Sequence, residues 1–471
     1  MTPTAAQGAG KEGTPPFPAN NYAIYVVSVL MLVTLSSLLD RQLPTLLVEP
    51  LKRSFALSDT QFSLLQGSAF AIFYTVMGIP FGRMVDHANR RNLILFGLVL
   101  WSIMTVLAGL VDSYWQLLVT RIGIGIGEAC LAPAAYSIIA DYFPAHRRAR
   151  AITTYYLSLT LGAGASMIVG GLILPLLPPD GLSIAFIGTL LPWKLMFIIV
   201  GLPGLLLTPL ILTIREPVRR EVGSATTVVE KSSVGDFLRH VWQHRMTFLC
   251  VISSASAIGI VGWANMSWAP TFFERRFGIS VASSGPLLGM ILMLAGLGGS
   301  ILSGFLSDRW IKRGVTAARF RVTTLAWIIT LPASIAWPLV PSATLSYILL
   351  LVTFLGVILS QAANPVVIQE IVPNRMRGQA IAGYLLVAGL VVMGFGPTAP
   401  ALLTDHLFHD EHALGPALAL VAILSGLIGP LASWYGLRPY ERSWMSIVGA
   451  TSPDRVEIPP GEDARSQSHP L

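Results

Sequence analysis

The 471-residue chain is 53% hydrophobic and only 12% charged, with a mean hydropathy of +0.67, whereas a soluble domain carries about 25% charged residues; this excludes an ordinary solvated surface and points to an exterior that meets lipid. The net charge of +7 does not signal nucleic acid, because the basic residues lie between apolar runs and form no single face. Cys130 and Cys250 both sit inside apolar stretches, which excludes a disulfide framework and a thiolate metal site.

Residues 1–20 read as a disordered tail, and not as a signal peptide, because the apolar run that follows is too long for one. Six runs follow at 21–47, 61–83, 93–111, 116–141, 151–176 and 191–214, each near the twenty or so apolar residues that a lipid-spanning helix needs. A polar linker over 215–243 separates them from six more runs at 245–273, 284–306, 319–340, 345–370, 378–404 and 415–437. The tail, 438–471, is rich in proline, serine and charge. The expected fold is an all-α membrane protein of twelve transmembrane helices in two six-helix bundles, 21–214 and 244–437. With the N-terminus inside, 24 of the 31 lysines and arginines fall on the inner side and 5 on the outer, while Arg41 and Arg121 lie within helices. That bias predicts both termini in the cytoplasm.

The halves repeat each other. Gly82-Arg-Met-Val-Asp86 after helix 2 answers Gly304-Phe-Leu-Ser-Asp308 after helix 8. Asp141, Pro144, Arg148, Ala151, Ile152 and Tyr155 answer Glu370, Pro373, Arg377, Ala380, Ile381 and Tyr384 at one constant offset. A duplicated six-helix unit places a substrate site between its halves near the midplane, as in secondary transporters.

Four ionisable residues fall well inside predicted helices: Asp40 and Arg41 in helix 1, Arg121 and Glu128 in helix 4. Each costs at least about 2.5 kcal/mol at the bilayer centre, so each is expected to face a cavity or a partner. Arg121 and Glu128 are seven apart and share a helix face. Counting the rise per residue puts Asp40 at a depth similar to Arg121, with Glu128 about 10 Å deeper. Asp40 and Arg121 are therefore expected to pair, and intramembrane carboxylates are functional by default. The other role open to these groups is a static set of bridges fixing helix 1 to helix 4.

Gly82, Asp86, Arg90 and Arg91 carry a loop pattern with a mechanical logic: glycine permits close approach, the carboxylate caps or pairs, and the arginines reach acids. Asp141 and Glu370, at the inner ends of helices 4 and 10, are the expected partners. Together with Arg148, Asp308 and Arg377 they make a candidate cytoplasmic gate that breaks as the halves rock. Gly123, Gly125 and Gly127 lie inside an apolar helix, so they read as close packing and not as a dinucleotide loop. His406, His409, Asp410 and His412 form a solvated loop in preference to a metal site. Candidate cavity residues are neutral and aromatic: Tyr136, Tyr155, Tyr156, Trp263, Asn265, Trp268, Gln361 and Asn364. Ion pairs on one wall and an aromatic wall opposite suit an amphiphile better than a small sugar.

GRMVDHANRR resembles the signature between helices 2 and 3 of the major facilitator superfamily, and GFLSDRWIKR is a weaker second copy. LLDRQLPTLLVEPLKRSFALSDTQFSLLQGSAFAIFY, RIGIGIGEACLAPAAYSIIADYFP and RRARAITTYY are similar to spinster-type transporters, with a bacterial look. The resemblance covers all but the tails. It implies proton-linked movement of lysophospholipids or sphingoid lipids, with Asp40 and Glu128 coupling protons and Arg121 and Arg41 as charge partners or headgroup contacts. Helix 5 departs from the drug-antiporter pattern, because Met167 stands where that motif has proline before Gly170-Gly171.

The leading expectation is a monomeric carrier in the bacterial inner membrane that moves a lipid-like amphiphile by alternating access. It is driven by the proton gradient, with no bound cofactor, no metal and no nucleic-acid partner, and no enzymatic nucleophile–base pair stands out. The alternatives are a proton symporter of a small organic anion such as a sugar acid, in which Arg121 and Arg41 clamp a carboxylate, and a multidrug exporter.

Overall fold

The computed structural model describes residues 17–184, 188–220 and 233–451. Lys11, Lys231, Arg455 and Arg465 of the charge count, and most of both tails, lie outside the described residues. Eleven helices among these residues are long and apolar enough to cross a bilayer: α1 Asn20–Leu46, α2 Asp59–His87, α3 Arg90–Ala108, α4 Tyr114–Tyr142, α5 Ala145–Leu176, α6 Pro192–Leu212, α7 Arg245–Phe277, α8 Val281–Lys312, α10 Ala343–Glu370, α11 Asn374–Phe408 and α12 Glu411–Ile447. The remaining predicted span is α9, Ala318–Ala336, which packs against α10 and α12. It is less apolar because Arg319 and Arg321 occupy its first turn, and because Thr323, Thr330 and Ser334 are turned inward. These three hydroxyls are therefore hidden from lipid.

Alternation of twelve helices brings both described chain ends to one end of the bundle. That end also holds most of the arginines and is called the basic end below; the other is the distal end. Two elements that hydropathy did not reveal stand at the distal end. They are a short helix Val48–Phe55 and an antiparallel hairpin, β1 Leu182–Ile184 with β2 Gly188–Leu190, in which Leu182 pairs with Leu190. At the basic end the linker is partly helical, over Val234–Gln243.

Several helices are broken where they meet the centre. α4 divides into Tyr114–Glu128 and Leu131–Tyr142. Pro133 cannot donate to the Ala129 carbonyl four residues back, which opens the turn just past Glu128. α2 and α11 each carry a wide π turn, Leu64–Ser68 and Ala388–Met393, and meet there: a Cβ on Gly67 would stand 3.0 Å from the Met393 carbonyl. Such turns recur at functional sites.

The halves touch chiefly along two seams, α5 with α8 and α2 with α11, and the end of α1 also meets α7. In the α5–α8 seam glycines remove the side chains that would hold the helices apart. A Cβ on Gly164 would lie 2.5 Å from the Gly289 carbonyl, and one on Gly171 2.7 Å from Pro286. Glycine therefore serves a close approach here.

Candidate site: a charged cluster at the head of a one-ended cavity

Asp40, Arg121 and Glu128 are all buried, and Arg41 is half-buried, with its guanidinium at a cavity wall. Neighbours in a helix point about 100° apart, so Asp40 and Arg41 address different partners. Arg41 Nη2 donates to Glu128 Oε2 at 2.6 Å and Nε to the same oxygen at 3.2 Å. Its guanidinium also lies over the rings of Phe70 and Tyr74, 4.7 and 4.9 Å from their centres, a placement that favours a cation. Arg121 Nη1 donates to the Asp40 backbone carbonyl at 3.3 Å, not to its carboxylate. Both carboxylate oxygens of Asp40, Oε1 of Glu128 and Nε of Arg121 lack hydrogen-bond partners. This corrects the expected Asp40–Arg121 side-chain pair: Glu128 takes Arg41, and Arg121 ties α4 to the backbone of α1.

A cavity of about 730 Å³ begins at Arg41 and runs to the basic end, where Arg83 and Asp86 line its mouth. Arg41, Trp263 and Gln361 also line a second cavity of about 260 Å³ between α5 and α8, which includes Tyr156 and Gln42. Of the residues singled out from sequence, Tyr136, Tyr156, Trp263 and Gln361 reach cavity space. Tyr155, Asn265, Trp268 and Asn364 do not, and each is a buried packing group. Tyr155 stands 2.9 Å from Thr34 Oγ1, and Asn265 donates to Ser334 at 3.4 Å. Trp268 donates to the Pro397 carbonyl at 2.7 Å, and Asn364 accepts from Thr323 at 3.3 Å. A polar residue in a membrane helix must bond to something, and composition does not tell a neighbouring helix from a cavity. Tyr74 and Tyr384 line the large cavity and were not proposed. Tyr74, Gly78 and Gly82 follow a four-residue spacing on one face of α2, the signal that would have found the first. Tyr384 is the repeat partner of Tyr155.

The gate expected at the basic end is not bonded across the halves. Arg90 donates to Asp141 of its own half at 2.5 Å and to Glu216, at the start of the linker, at 2.7 Å. Arg91 bonds Glu216 through its backbone N–H, at 3.0 Å. Glu370 takes Arg319 and Tyr440, again within one half, and Arg377 donates to the Gln369 carbonyl at 3.3 Å. Arg148 keeps its Nε without a partner, Asp308 is exposed, and Asp86 accepts from Arg219 through its carbonyl. Gly82, Gly304, Gly378 and Gly383 face open space. Gly82 therefore makes no close approach in this state, because the α2 and α11 ends stand apart.

Bonds between the halves cluster at the distal end. Arg275 grips Asp59 with both terminal nitrogens at 2.8 Å and Glu49 with Nε at 2.8 Å. Lys52 donates to Asp59 at 2.5 Å and to Glu411 at 2.7 Å. Thr404 donates to Asp59 at 3.0 Å, and the Thr60 N–H to Asp405 at 2.7 Å. The cavity is thus sealed at one end and open at the other.

Residues 30–397 match the model of the Major Facilitator Superfamily. Over 420 residues, 88% of this chain and 93% of the other, the chain is 31% identical to an MFS-type efflux pump of Mycolicibacterium smegmatis. Over 304 residues, 62% of this chain and 63% of the other, it is 24% identical to a probable L-galactonate transporter of Escherichia coli. A crystal structure of a bacterial homolog to the human lysosomal transporter spinster, inward-facing and unoccupied, superposes with a TM-score of 0.76. It has 28% identity and covers 92% of this chain and 98% of that one.

Proposed function

This chain belongs to the Major Facilitator Superfamily, and from that premise we propose that it is a proton-coupled carrier of a lipid-like amphiphile with an anionic headgroup, such as a lysophospholipid. The observation that carries the substrate class is the largely apolar lining of the large cavity below Arg41. Its lining includes Ile79 of α2 and Leu385 of α11, both more than half exposed, together with Gly78 and Gly82, where an added Cβ would meet no other atom within 4 Å. An acyl chain can lie against such a lining while its headgroup reaches Arg41. Similarity to a spinster homolog and to an efflux pump supports the same reading.

The basic end is the cytoplasmic one by the bias of positive charge, which makes the captured state inward-facing and puts both termini inside, in a bacterial inner membrane. The carrier works as a monomer whose halves rock about the central site, without a bound cofactor. Coupling rests on competition for one cation. Ionised Glu128 holds Arg41; a proton on Glu128 removes that charge and frees the guanidinium, already steadied by Phe70 and Tyr74, for a phosphate. Asp40, with no donor on either oxygen, is the second proton carrier, and Arg121 keeps α1 and α4 in register beside it. Binding of anion and proton is then mutually favourable.

The test is uptake or release of labelled lysophospholipid in proteoliposomes under an imposed pH gradient. Flux that follows the gradient in wild type and falls at least tenfold in Glu128→Gln supports the assignment. No flux above empty liposomes, with folded and inserted protein, would transfer the case to the small organic anion; the similarity to the L-galactonate transporter and Arg41 at the cavity head favour that as the second reading.

A further inference from the structure

The linker helix Val234–Gln243 has a face that the transport cycle above does not use. It begins at a capping box: the Asp236 N–H donates to Ser233 Oγ and the Ser233 N–H to the Asp236 carboxylate, each at 3.1 Å. One side is held by the second half. Phe237 and Val241 pack on the cluster that contains Phe248, Ile368, Ile371 and Tyr440. His240 Nε2 lies 2.9 Å from the Ile371 carbonyl, and just past the helix His244 Nδ1 lies 2.9 Å from Ser443 Oγ.

The adjoining side presents Val234, Leu238 and Trp242, four residues apart and so aligned on one stripe. They are 66%, 59% and 71% exposed. A ten-residue helix in water has no reason to carry three large apolar groups in a row. The stripe runs on into Met246 and Leu249, exposed at the start of α7 on the surface that faces lipid. Arg239 and Arg245 flank it, both exposed, and the Arg245 guanidinium lies 5.4 Å from the Trp242 ring centre. An apolar stripe bordered by arginines and ending on a tryptophan is the composition of a helix lying in a membrane interface.

We propose that Val234–Gln243 lies in the interface of the leaflet at the basic end, with Val234, Leu238 and Trp242 among the acyl chains and Arg239 and Arg245 on the phosphates of anionic phospholipids. Continuity of the stripe with the lipid face of α7 fixes the occupant as lipid, and the two arginines select for anionic headgroups. Because the helix is bonded to the second half through His240 and His244, it ties that half to the leaflet while the first half swings.

Full-length protein carrying Leu238→Cys, Trp242→Cys or Gln243→Cys is labelled with an environment-sensitive fluorophore, the native cysteines being buried, and placed in liposomes of phosphatidylcholine with or without phosphatidylglycerol. At 238 and 242 brominated acyl chains are expected to quench strongly and aqueous iodide weakly, with the reverse at 243. Brominated phosphatidylglycerol is expected to quench the 238 label several-fold more than brominated phosphatidylcholine, and Arg239→Gln with Arg245→Gln to remove that difference. Iodide quenching at 238 and 242 equal to that at 243 overturns the proposal in favour of a solvated face. Protection from both quenchers overturns it in favour of a second copy of the chain. Equal quenching by the two lipids in wild type overturns the anionic headgroup.

Discussion

The two ends of this bundle are built from the same materials, arginine, lysine and carboxylate, but use them in opposite ways. At the distal end Asp59 collects Lys52 from its own half and Arg275 and Thr404 from the other, in a site where all three charged groups are buried. At the basic end Arg90 binds Asp141 of the first half and Glu216 at the linker's start, and Glu370 binds Arg319 and Tyr440 inside the second half. Charge across the halves holds one end shut; charge within each half lets the other end open without unfolding. What the difference teaches is that an ion pair's place relative to the seam decides whether it acts as latch or scaffold.

The sharpest way to break the comparison is Asp59→Ala. It leaves Lys52 and Arg275 buried without their shared carboxylate, and removing one partner of a buried pair costs about 3–5 kcal/mol. The cost falls on the state closed at the distal end, so its population should drop roughly 10²- to 10⁴-fold relative to the opposite state. Distances between spin labels at the exposed positions Arg53 and Thr344, one on each half at the distal end, should lengthen; unchanged distances would deny the network its latch role. Arg90→Gln makes the counterpart. It exposes Asp141 and Glu216 to a similar loss of about 3 kcal/mol, but inside one half. Thermal stability should fall while the label distances stay as in wild type, and a changed distance would show that this cluster also spans the seam.

Glycine gives a second contrast between the ends. Gly164→Ala forces a Cβ to 2.5 Å from the Gly289 carbonyl, an overpacking cost of about 1–3 kcal/mol borne by the present state. Gly82→Leu and Gly383→Leu meet open space, so melting should be unchanged. The cycle needs those helix ends to close, however, and flux should be lost at full stability. Retained flux would mean that the basic end closes without bringing α2 and α11 together.

Much of this was legible before any coordinates. Hydropathy located the spans, α9 being the least apolar because Arg319 and Arg321 open it. The repeat located Asp141 and Glu370, and the cost of burying charge singled out the cluster of Asp40, Arg41, Arg121 and Glu128. What stayed hidden was pairing. Depth along a helix is read from residue count, but which of two adjacent side chains faces a partner depends on the rotation of the helix. Asp40 was therefore matched to Arg121, where Arg41 and Glu128 make the bond. The distal latch was also invisible: Asp59 and Arg275 lie 216 residues apart, at helix ends just outside the apolar runs, where charges read only as topology signals.

The smallest expected effect tests the comparison within one end. Asp141 and Glu370 are repeat-related, yet their arginines differ: the side chain of Arg90 is 1% exposed and that of Arg319 31%. An ion pair partly in water is worth about 0–1 kcal/mol, and Glu370 also keeps the Tyr440 hydroxyl, at 2.6 Å, when the arginine is lost. Arg319→Gln should therefore lower stability by under about 1 kcal/mol, against several for Arg90→Gln. Equal losses in parallel denaturation of the two variants would mean that burial does not set the worth of these repeated pairs, and the scaffold would then be symmetric after all.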